Sequence, residues 1–175
     1  MEKRFEKQRL VLIQAVFSGV LAALVAVATF LVQIPNPATK GYMNFGDIMI
    51  FVSALTFGPV VGGFAGSIGS SIADIASGFG YFAPFTFVIK GIEGTLVGLI
   101  SNRKSVRRDV IAVAFGGAEM VAGYFLAEFF PLQLGWAALT EVPGNISQMV
   151  VGGLIGIPIA AVIRRRLPES WKKTK

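Results

Sequence analysis

Long apolar runs dominate the chain and are separated by short segments rich in glycine, proline or basic residues. The first run extends from Leu10 to Val32 without a charged residue, a length that suits one helical crossing of a bilayer. Five further apolar runs follow, and breaks such as Gly58-Pro59 and Pro131 end two of them. The pattern predicts an all-α membrane protein, with six transmembrane helices in one integral membrane domain over residues 1–175. The predicted spans are approximately 10–32, 45–58, 60–77, 84–101, 110–130 and 142–163.

Composition supports the membrane interpretation and excludes several kinds of enzyme. Hydrophobic residues make up 54% of the 175-residue chain and charged residues 15%, whereas soluble domains carry about 25% charged residues. Cysteine and histidine are both absent, which excludes thiol nucleophiles, thiolate or imidazole metal sites and histidine general bases. The ATP-binding pattern G-x-x-x-x-G-K-[S/T] is also missing. We therefore expect no catalytic residues, no metal site and no bound cofactor.

The basic residues indicate how the predicted helices are oriented. The formal net charge is +6, and 14 of the 16 Lys and Arg residues fall on one side of a six-span topology. Basic loops stay on the cytoplasmic side of a cell membrane, so both termini are predicted to be cytoplasmic. The basic residues are then expected to orient the protein in the membrane and to contact lipid headgroups, rather than to bind nucleic acid. The residues on that side are Lys3, Arg4, Lys7, Arg9, Arg103, Lys104, Arg107, Arg108, Arg164, Arg165, Arg166, Lys172, Lys173 and Lys175.

Polar groups inside the predicted spans gather toward the opposite, outer side of the membrane. A charged side chain at membrane depth costs about 3 kcal/mol or more, so each one needs a partner or a function. Lys90 and Glu93 share one helix face, as do Asn145 and Gln148. These pairs fit a ligand cup that opens outward, or else a structural ion pair and an interhelical hydrogen bond. Aromatic side chains surround the same region, where they can stack on a flat heterocycle or else form the belt of aromatic residues at the membrane interface. They are Tyr42, Phe45, Tyr81, Phe82, Phe85, Tyr124 and Trp136.

Small residues form a smooth stripe along the first predicted helix. Ala15, Gly19, Ala22 and Ala26 follow a spacing that places them on one helix face. In lipid, helices associate closely where small residues let their backbones approach. The stripe has no polar group that needs burial, so it is a candidate surface for a partner protein, and internal packing is the alternative explanation.

Four motifs in a fixed order resemble a known protein family. They are Asn-x-Gly-Asp at 44–47, Gly-Pro-x-x-Gly at 58–62, Asp-x-x-x-Gly at 74–78 and Lys-Gly-x-Glu-Gly at 90–94. Each motif is weak alone, but their order is specific. Over about residues 10–165 the chain resembles the substrate-binding S components of energy-coupling factor (ECF) vitamin transporters, in the riboflavin-type group.

The resemblance implies six helices that bind one vitamin near the outer face of a prokaryotic cell membrane. The first extracellular loop is implied to act as a lid, and residues 33–37 at its start are expected to form a rigid exit loop. The implied partners are a transmembrane T component and two cytoplasmic ATPases, with Ala15, Gly19, Ala22 and Ala26 toward the T component. The candidate substrate-binding residues are Tyr42, Asn44, Asp47, Asp74, Tyr81, Phe85, Lys90, Glu93, Glu119, Tyr124, Asn145 and Gln148.

The sequence leaves the substrate open. Riboflavin is the first expectation, because aromatic rings suit its isoalloxazine and amides and charges suit its polar groups. The alternative for the same fold is a hydroxymethylpyrimidine, pyridoxine or a thiamine-like ring. From another class, Asp47, Asp74, Glu93 and Glu119 also fit a stand-alone ion-coupled carrier. An intramembrane enzyme has poor support, because carboxylates without histidine, cysteine or a metal motif are weak signs of catalysis.

Overall fold

The computed structural model describes residues 2–167, except for the side chains of residues 2–7, 9 and 10. The described residues form six α-helices, a two-stranded hairpin and a 3₁₀ turn at Gly135–Thr140. The helices are α1 (Glu2–Leu31), α2 (Gly46–Phe57), α3 (Pro59–Ala76), α4 (Ala83–Ile100), α5 (Val106–Phe129) and α6 (Val142–Arg166). Several residues of the predicted basic set lie outside this description: Lys172, Lys173 and Lys175, and the side chains of Lys3, Arg4, Lys7 and Arg9.

Each of the six helices overlaps one predicted span, and four are long and apolar enough to cross a membrane. These four are α1 from Val11 onward, α4, α5, and α6 with the 3₁₀ turn before it. By contrast, α2 has only 12 residues and α3 is rich in glycine and serine. α1 and α5 begin before their apolar runs, because Lys, Arg and Glu support a helix beyond the hydrocarbon region. Crossings by α2 and α3, and cytoplasmic termini, stay predictions.

The segment between α1 and α2 forms a β-hairpin. Strand β1 (Gln33–Asn36) pairs antiparallel with β2 (Gly41–Asn44). The turn between them is held by Lys40 N, which donates to the Asn36 carbonyl oxygen over 2.9 Å. Pro35 is tolerated because an edge strand leaves some N–H positions unpaired. The prediction of a rigid loop was therefore wrong for the residues of β1.

The apolar core is built around the short helix α2. Ile50, Phe51, Ala54 and Leu55 have no exposed surface, and residues from the other helices pack onto them. A helix that is buried on nearly every side has no need of a polar face. This explains why Asp47, at the start of α2, is its single charged residue.

α3 packs chiefly against α1 and α4, and its glycines allow close contact. Gly62 lies against Ala54 of α2 and Gly94 of α4, so that a side chain at this position would collide with backbone atoms. Gly66 lies in the same way against the carbonyl oxygen of Lys90. The glycines of α3 thus fix the position of α4, on which Lys90 is carried.

Successive helices run in opposite directions, which gives the molecule two chemically different ends. The hairpin end has the β-hairpin, the α3–α4 connection and the 3₁₀ turn, and the arginine end has residues 101–105 and the last turn of α6. At the arginine end, Asp109 is fully buried. Its Oδ1 accepts hydrogen bonds from Ser101 Oγ at 2.6 Å and Arg164 Nη1 at 3.2 Å, and its Oδ2 accepts one from Arg164 Nη2. Both oxygens of this carboxylate therefore have partners.

Candidate ligand-binding cavity

A cavity lies at the hairpin end, between β2 and helices α3 to α6. Its walls enclose about 380 Å³, counting the part open to solvent, and only about 30 Å³ of this is wide enough for the centre of a water molecule. Aromatic rings and polar side chains share the walls, as in many small-molecule sites. The lining residues are Gly41, Tyr42, Asn44, Asp74, Phe82, Thr86, Lys90, Tyr124, Glu128, Glu141, Asn145 and Gln148.

Lys90 is held in the cavity wall by two carboxylates. The lysine is 2% exposed, and both of its acidic partners are buried as well. Its Nζ donates to Asp47 Oδ1 of α2 and, over 3.0 Å, to Glu93 Oε2 of its own helix. Nζ also lies 5.7 Å from the centre of the Tyr124 ring, within the range of a cation–π interaction. The predicted contact of Lys90 with Glu93 is therefore present, and Asp47 makes it a triad of one lysine and two carboxyl groups.

The amides of α6 connect the cavity to the hairpin. Gln148 Nε2 donates to Asn145 Oδ1 over 2.9 Å, one turn away on the same helix. Gln148 Oε1 accepts a hydrogen bond from the backbone N–H of Asn44 in β2, also over 2.9 Å. The pair thus shares a face as predicted, but its further partner is the hairpin backbone rather than another helix.

Further hydrogen bonds fasten the hairpin over the cavity to three other parts of the chain. Tyr42 Oη donates to Asp74 Oδ1 of α3 over 2.6 Å, and Thr39 Oγ1 donates to Glu141 beside the 3₁₀ turn. Tyr81, in the α3–α4 connection, donates to the Lys40 carbonyl oxygen over 2.8 Å. Burial and the adjacent Asp74 carboxylate raise the pKa of the Tyr42 hydroxyl above its usual value, so this group stays a hydrogen-bond donor.

Two carboxylates in the cavity wall have an oxygen without a hydrogen-bond partner among the described residues. Asp74 uses Oδ1 for Tyr42, but its Oδ2 has no donor, and Glu128 Oε2 has none either. Both side chains are buried, at 5% and 2% exposure. Carboxylate oxygens that are buried without donors are costly, so each one calls for an explanation.

Comparison with known protein families identifies the family to which the chain belongs. Residues 10–165 match the family described as "ECF-type riboflavin transporter, S component". The chain belongs to this family. S components of ECF transporters are membrane proteins that bind a vitamin and work with a T component and ATPases, and they are not enzymes. The resemblance found in the sequence is thereby confirmed.

Individual relatives of this S component cover most of its length. A Pyrococcus woesei protein, "Uncharacterized protein in gap 3'region", is 43% identical over 144 residues, or 82% of this chain and 96% of the relative. The "Thiamine precursor transporter HmpT" of Lactococcus lactis subsp. cremoris (strain MG1363) is 28% identical over 153 residues, or 84% and 85% of the two chains. A "UPF0397 protein" of Lactococcus lactis subsp. cremoris (strain NZ9000) is 26% identical over 172 residues, or 91% and 90%.

The structure places the 12 sequence-predicted substrate-binding residues of this S component at three kinds of position. Asp47 and Glu93 lie behind the cavity wall, in contact with Lys90. Tyr81 is 46% exposed and contacts the hairpin, Phe85 packs in an apolar cluster, and Glu119 is half-buried on α5; none of the three lines the cavity. Seven line the cavity, namely Tyr42, Asn44, Asp74, Lys90, Tyr124, Asn145 and Gln148.

Five lining residues of the S component were missing from the predicted set. Three of them lie four residues from a predicted residue, and therefore on the same side of the chain: Thr86 before Lys90, Glu128 after Tyr124, and Glu141 before Asn145. A search for polar residues four positions before or after each predicted residue would have found them. The other two are Gly41 and Phe82, of which Phe82 was predicted as one of the surrounding aromatic rings but not as a binding residue.

The small-residue stripe of α1 is only partly available to a partner of the S component. Ala15 and Gly19 are exposed and Ala26 is half-buried, but Ala22 is 5% exposed. The reason is that Gly69 of α3 packs against the Ala22 carbonyl oxygen, where α1 and α3 meet. The prediction of one continuous external stripe is therefore corrected to a shorter surface around Ala15 and Gly19.

Proposed function

We propose that this S component captures hydroxymethylpyrimidine, an aminopyrimidine precursor of thiamine, and delivers it to a T component and two ATPases. The cavity at the hairpin end is the proposed binding site. Riboflavin, the first expectation from the sequence, becomes the second candidate. It is favoured by the description of the matching family, which names riboflavin.

The size of the cavity is the observation that carries this proposal. Only about 30 Å³ of the cavity can hold the centre of a water molecule, far below the range of about 300 to about 1,000 Å³ of typical small-molecule sites, so every ligand must displace the hairpin or side chains to enter. A single pyrimidine ring requires the smaller displacement. The tricyclic isoalloxazine of riboflavin with its ribityl chain requires a much larger one. The named thiamine precursor transporter among the relatives supports the smaller ligand.

The aromatic lining also suits one small ring. Three rings line the cavity, those of Tyr42, Phe82 and Tyr124. Tyr81 and Phe85, which the sequence offered for a larger aromatic surface, lie outside the lining. Two or three rings are enough to stack on a pyrimidine. The amides of Asn145 and Gln148 also line the cavity, and we expect them to bond the polar edge of the ring when it displaces part of their present contacts.

Ligand titration tests the proposed substrate. Purified protein in detergent is titrated by calorimetry with hydroxymethylpyrimidine, riboflavin, pyridoxine and thiamine, and co-purified small molecules are identified by mass spectrometry. We expect hydroxymethylpyrimidine to bind at least tenfold more tightly than the others. Quenching of flavin fluorescence at micromolar riboflavin, with no binding of the pyrimidine, would replace the proposal by the riboflavin alternative.

Transport assays separate an S component from an ion-coupled carrier. In proteoliposomes with a T component and both ATPases, we expect ATP-dependent uptake of the pyrimidine. Uptake by this chain alone, driven by a proton or sodium gradient without ATP, would favour the carrier that the intramembrane acidic residues also allow.

The proposed orientation places the hairpin end outside the cell and the arginine end in the cytoplasm. The chain has no cysteine, so single cysteines report location without background. Lys40→Cys in the hairpin and Lys104→Cys at the arginine end form a matched pair, since both positions are exposed. A membrane-impermeant maleimide added to intact cells should label the first variant only. The reverse labelling would invert the topology and exclude capture from outside.

The proposed contact with the T component lies around Ala15 and Gly19 on α1. A Cβ atom added at Gly19 meets no other atom within 4 Å, so a bulky residue fits there without disturbing the fold. We expect Gly19→Phe to keep ligand binding and to reduce co-purification with the T component. Leu24→Phe is the control, because five residues further on the helix face is turned by about 140°. Equal assembly of the two variants would remove the proposed contact.

A further inference from the structure

We infer that Glu128 and Asp74 form a pair of carboxylate acceptors that select ligands with an amino group on the ring and reject ligands with a phosphate group. The inference rests on the proposed function, because it assigns the chemistry by which the same cavity distinguishes its ligands. The acceptors come from two different helices, Glu128 from α5 and Asp74 from α3.

Of the two carboxylates, Glu128 gives the stronger support for the proposed acceptor site. It lines the cavity at 2% exposure, and its Oε2 has no hydrogen-bond donor among the described residues. Burying a carboxylate oxygen without a protein donor costs free energy. A donor supplied by the ligand would remove this cost on binding.

Asp74 uses one of its two oxygens to hold the hairpin. Oδ1 accepts the hydrogen bond from Tyr42 in β2, while Oδ2 has no donor within the described part of the chain. The Tyr42 bond restricts the orientation of the carboxylate, which lies in the cavity wall. Asp74 thus links closure of the hairpin to the proposed acceptor.

The charges around the cavity favour the same class of ligand. The lining contains three carboxylates, on Asp74, Glu128 and Glu141, and one cation, Lys90. Lys90 already donates to Asp47 and Glu93 behind the wall, so its charge is matched before any ligand binds. A phosphate ester therefore finds no unpaired cation in this lining, whereas an amino-substituted ring supplies donors to its carboxyl oxygens.

An exocyclic amino group has the donors that this arrangement lacks. Its N–H groups can reach a carboxylate oxygen on the wall, and each such bond to a charged acceptor is strong in a site shielded from water. An analogue with hydrogen in place of the amino group leaves the acceptor buried and unpaired. Sites built around a polar group reject analogues that lack it for this reason.

The test compares hydroxymethylpyrimidine, its deaminated analogue and its phosphate ester on three proteins: wild type, Glu128→Gln and Glu119→Gln. Glu119 is the matched control, because it lies on the same helix and also has an oxygen without a described partner, but it does not line the cavity. We expect wild type to prefer the amino compound over the deaminated one by about ten- to hundredfold, the range of one hydrogen bond to a charged group. This preference should fall to about threefold or less in Glu128→Gln and persist in Glu119→Gln.

The outcomes separate the inference from the proposed function. Tight binding of hydroxymethylpyrimidine with no preference over the deaminated analogue, or with an equal preference in Glu128→Gln, overturns the inference and leaves the proposed function intact. Binding of the phosphate ester as tight as that of the free alcohol overturns the charge argument. Riboflavin binding without pyrimidine binding overturns both. The comparison of ligands on wild type needs no variant, so a folding defect in Glu128→Gln does not prevent a decision.

Discussion

The two ends of the molecule bury carboxylates in opposite ways. At the arginine end, Asp109 has donors on both oxygens, from Ser101 and from both terminal nitrogens of Arg164. At the hairpin end and in the middle of the helices, Lys90 is shared between two carboxylates. Five carboxylate oxygens there have no described partner. They belong to Asp47, Asp74, Glu93, Glu119 and Glu128.

This difference distinguishes a structural cluster from a binding site. A buried charge with a complete set of partners holds two elements together, and breaking the set costs stability. Buried acceptors without partners weaken the unliganded fold, and proteins retain such groups at sites where function needs them. The arginine end is thus expected to affect stability alone, and the hairpin end to affect both stability and ligand binding.

Removal of the Lys90 side chain is expected to cause the largest loss of stability. Lys90→Ala leaves Asp47 and Glu93 buried without a counter-charge, and breaking a buried ion pair costs about 3–5 kcal/mol of unfolding free energy. Thermal unfolding in detergent, followed by circular dichroism or tryptophan fluorescence, measures the loss. Ligand affinity should fall as well, because Lys90 lines the cavity.

A compensated variant is the control for this prediction. Lys90→Met combined with Asp47→Asn and Glu93→Gln removes the charges together, and it should recover most of the lost stability while ligand binding stays weak. If Lys90→Ala unfolds at the temperature of wild type, the triad makes no contribution to the fold.

The second effect concerns the arginine end. Arg164→Ala leaves Asp109 without its cation, and we expect a loss of about 2 kcal/mol, less than for a fully buried pair because the Arg164 side chain is 12% exposed and water can partly replace it. Arg165→Ala is the control at an exposed position and should change stability by less than about 0.5 kcal/mol. Ligand affinity should be unchanged in both variants. A large loss of affinity in Arg164→Ala would show that the two ends are coupled.

The features that the sequence predicted correctly each lie within a single segment of the chain. Lys90 and Glu93, like Asn145 and Gln148, are three residues apart, so helix geometry alone places each pair on one face. The apolar runs likewise predicted all six helices, because hydrophobic length is a property of the segment itself.

The remaining parts depend on which segments meet in space. Asp47 lies 43 residues from Lys90 along the chain, and nothing local predicts that α2 and α4 bring the two together. The hairpin was missed because its prolines disfavour a strand and its cross-strand pairing is not visible in the pattern. The burial of Ala22 depends on contact with Gly69 of α3, so spacing along α1 could not separate the exposed part of the stripe from the packed part.

The third effect concerns closure of the hairpin. Tyr42→Phe removes the hydrogen bond to Asp74, and we expect ligand dissociation to become about tenfold faster, which corresponds to about 1.4 kcal/mol and lies near the range for a hydrogen bond to a charged group. Stopped-flow measurement of ligand release gives the rate. Tyr81→Phe is the matched control: its hydroxyl donates to a backbone carbonyl at an exposed position, and the rate should change by about twofold or less. Equal rates in the two variants would show that the hairpin is not held by the Asp74 contact.

The smallest expected effect is a gain in unfolding free energy rather than a loss. It tests most directly the comparison between the hairpin end and the arginine end. Glu128→Gln replaces a buried carboxylate that lacks a donor with a neutral amide, which costs less to bury. The unliganded protein should therefore gain about 1 kcal/mol of unfolding free energy while its affinity for the pyrimidine falls. Asp109→Asn makes the same chemical change at the arginine end, where the carboxylate has all its donors, and it should destabilise the protein without affecting ligand binding. If both variants shift thermal unfolding in the same direction, the missing partners of Glu128 do not mark a binding site, and the two ends bury their carboxylates for the same structural reason.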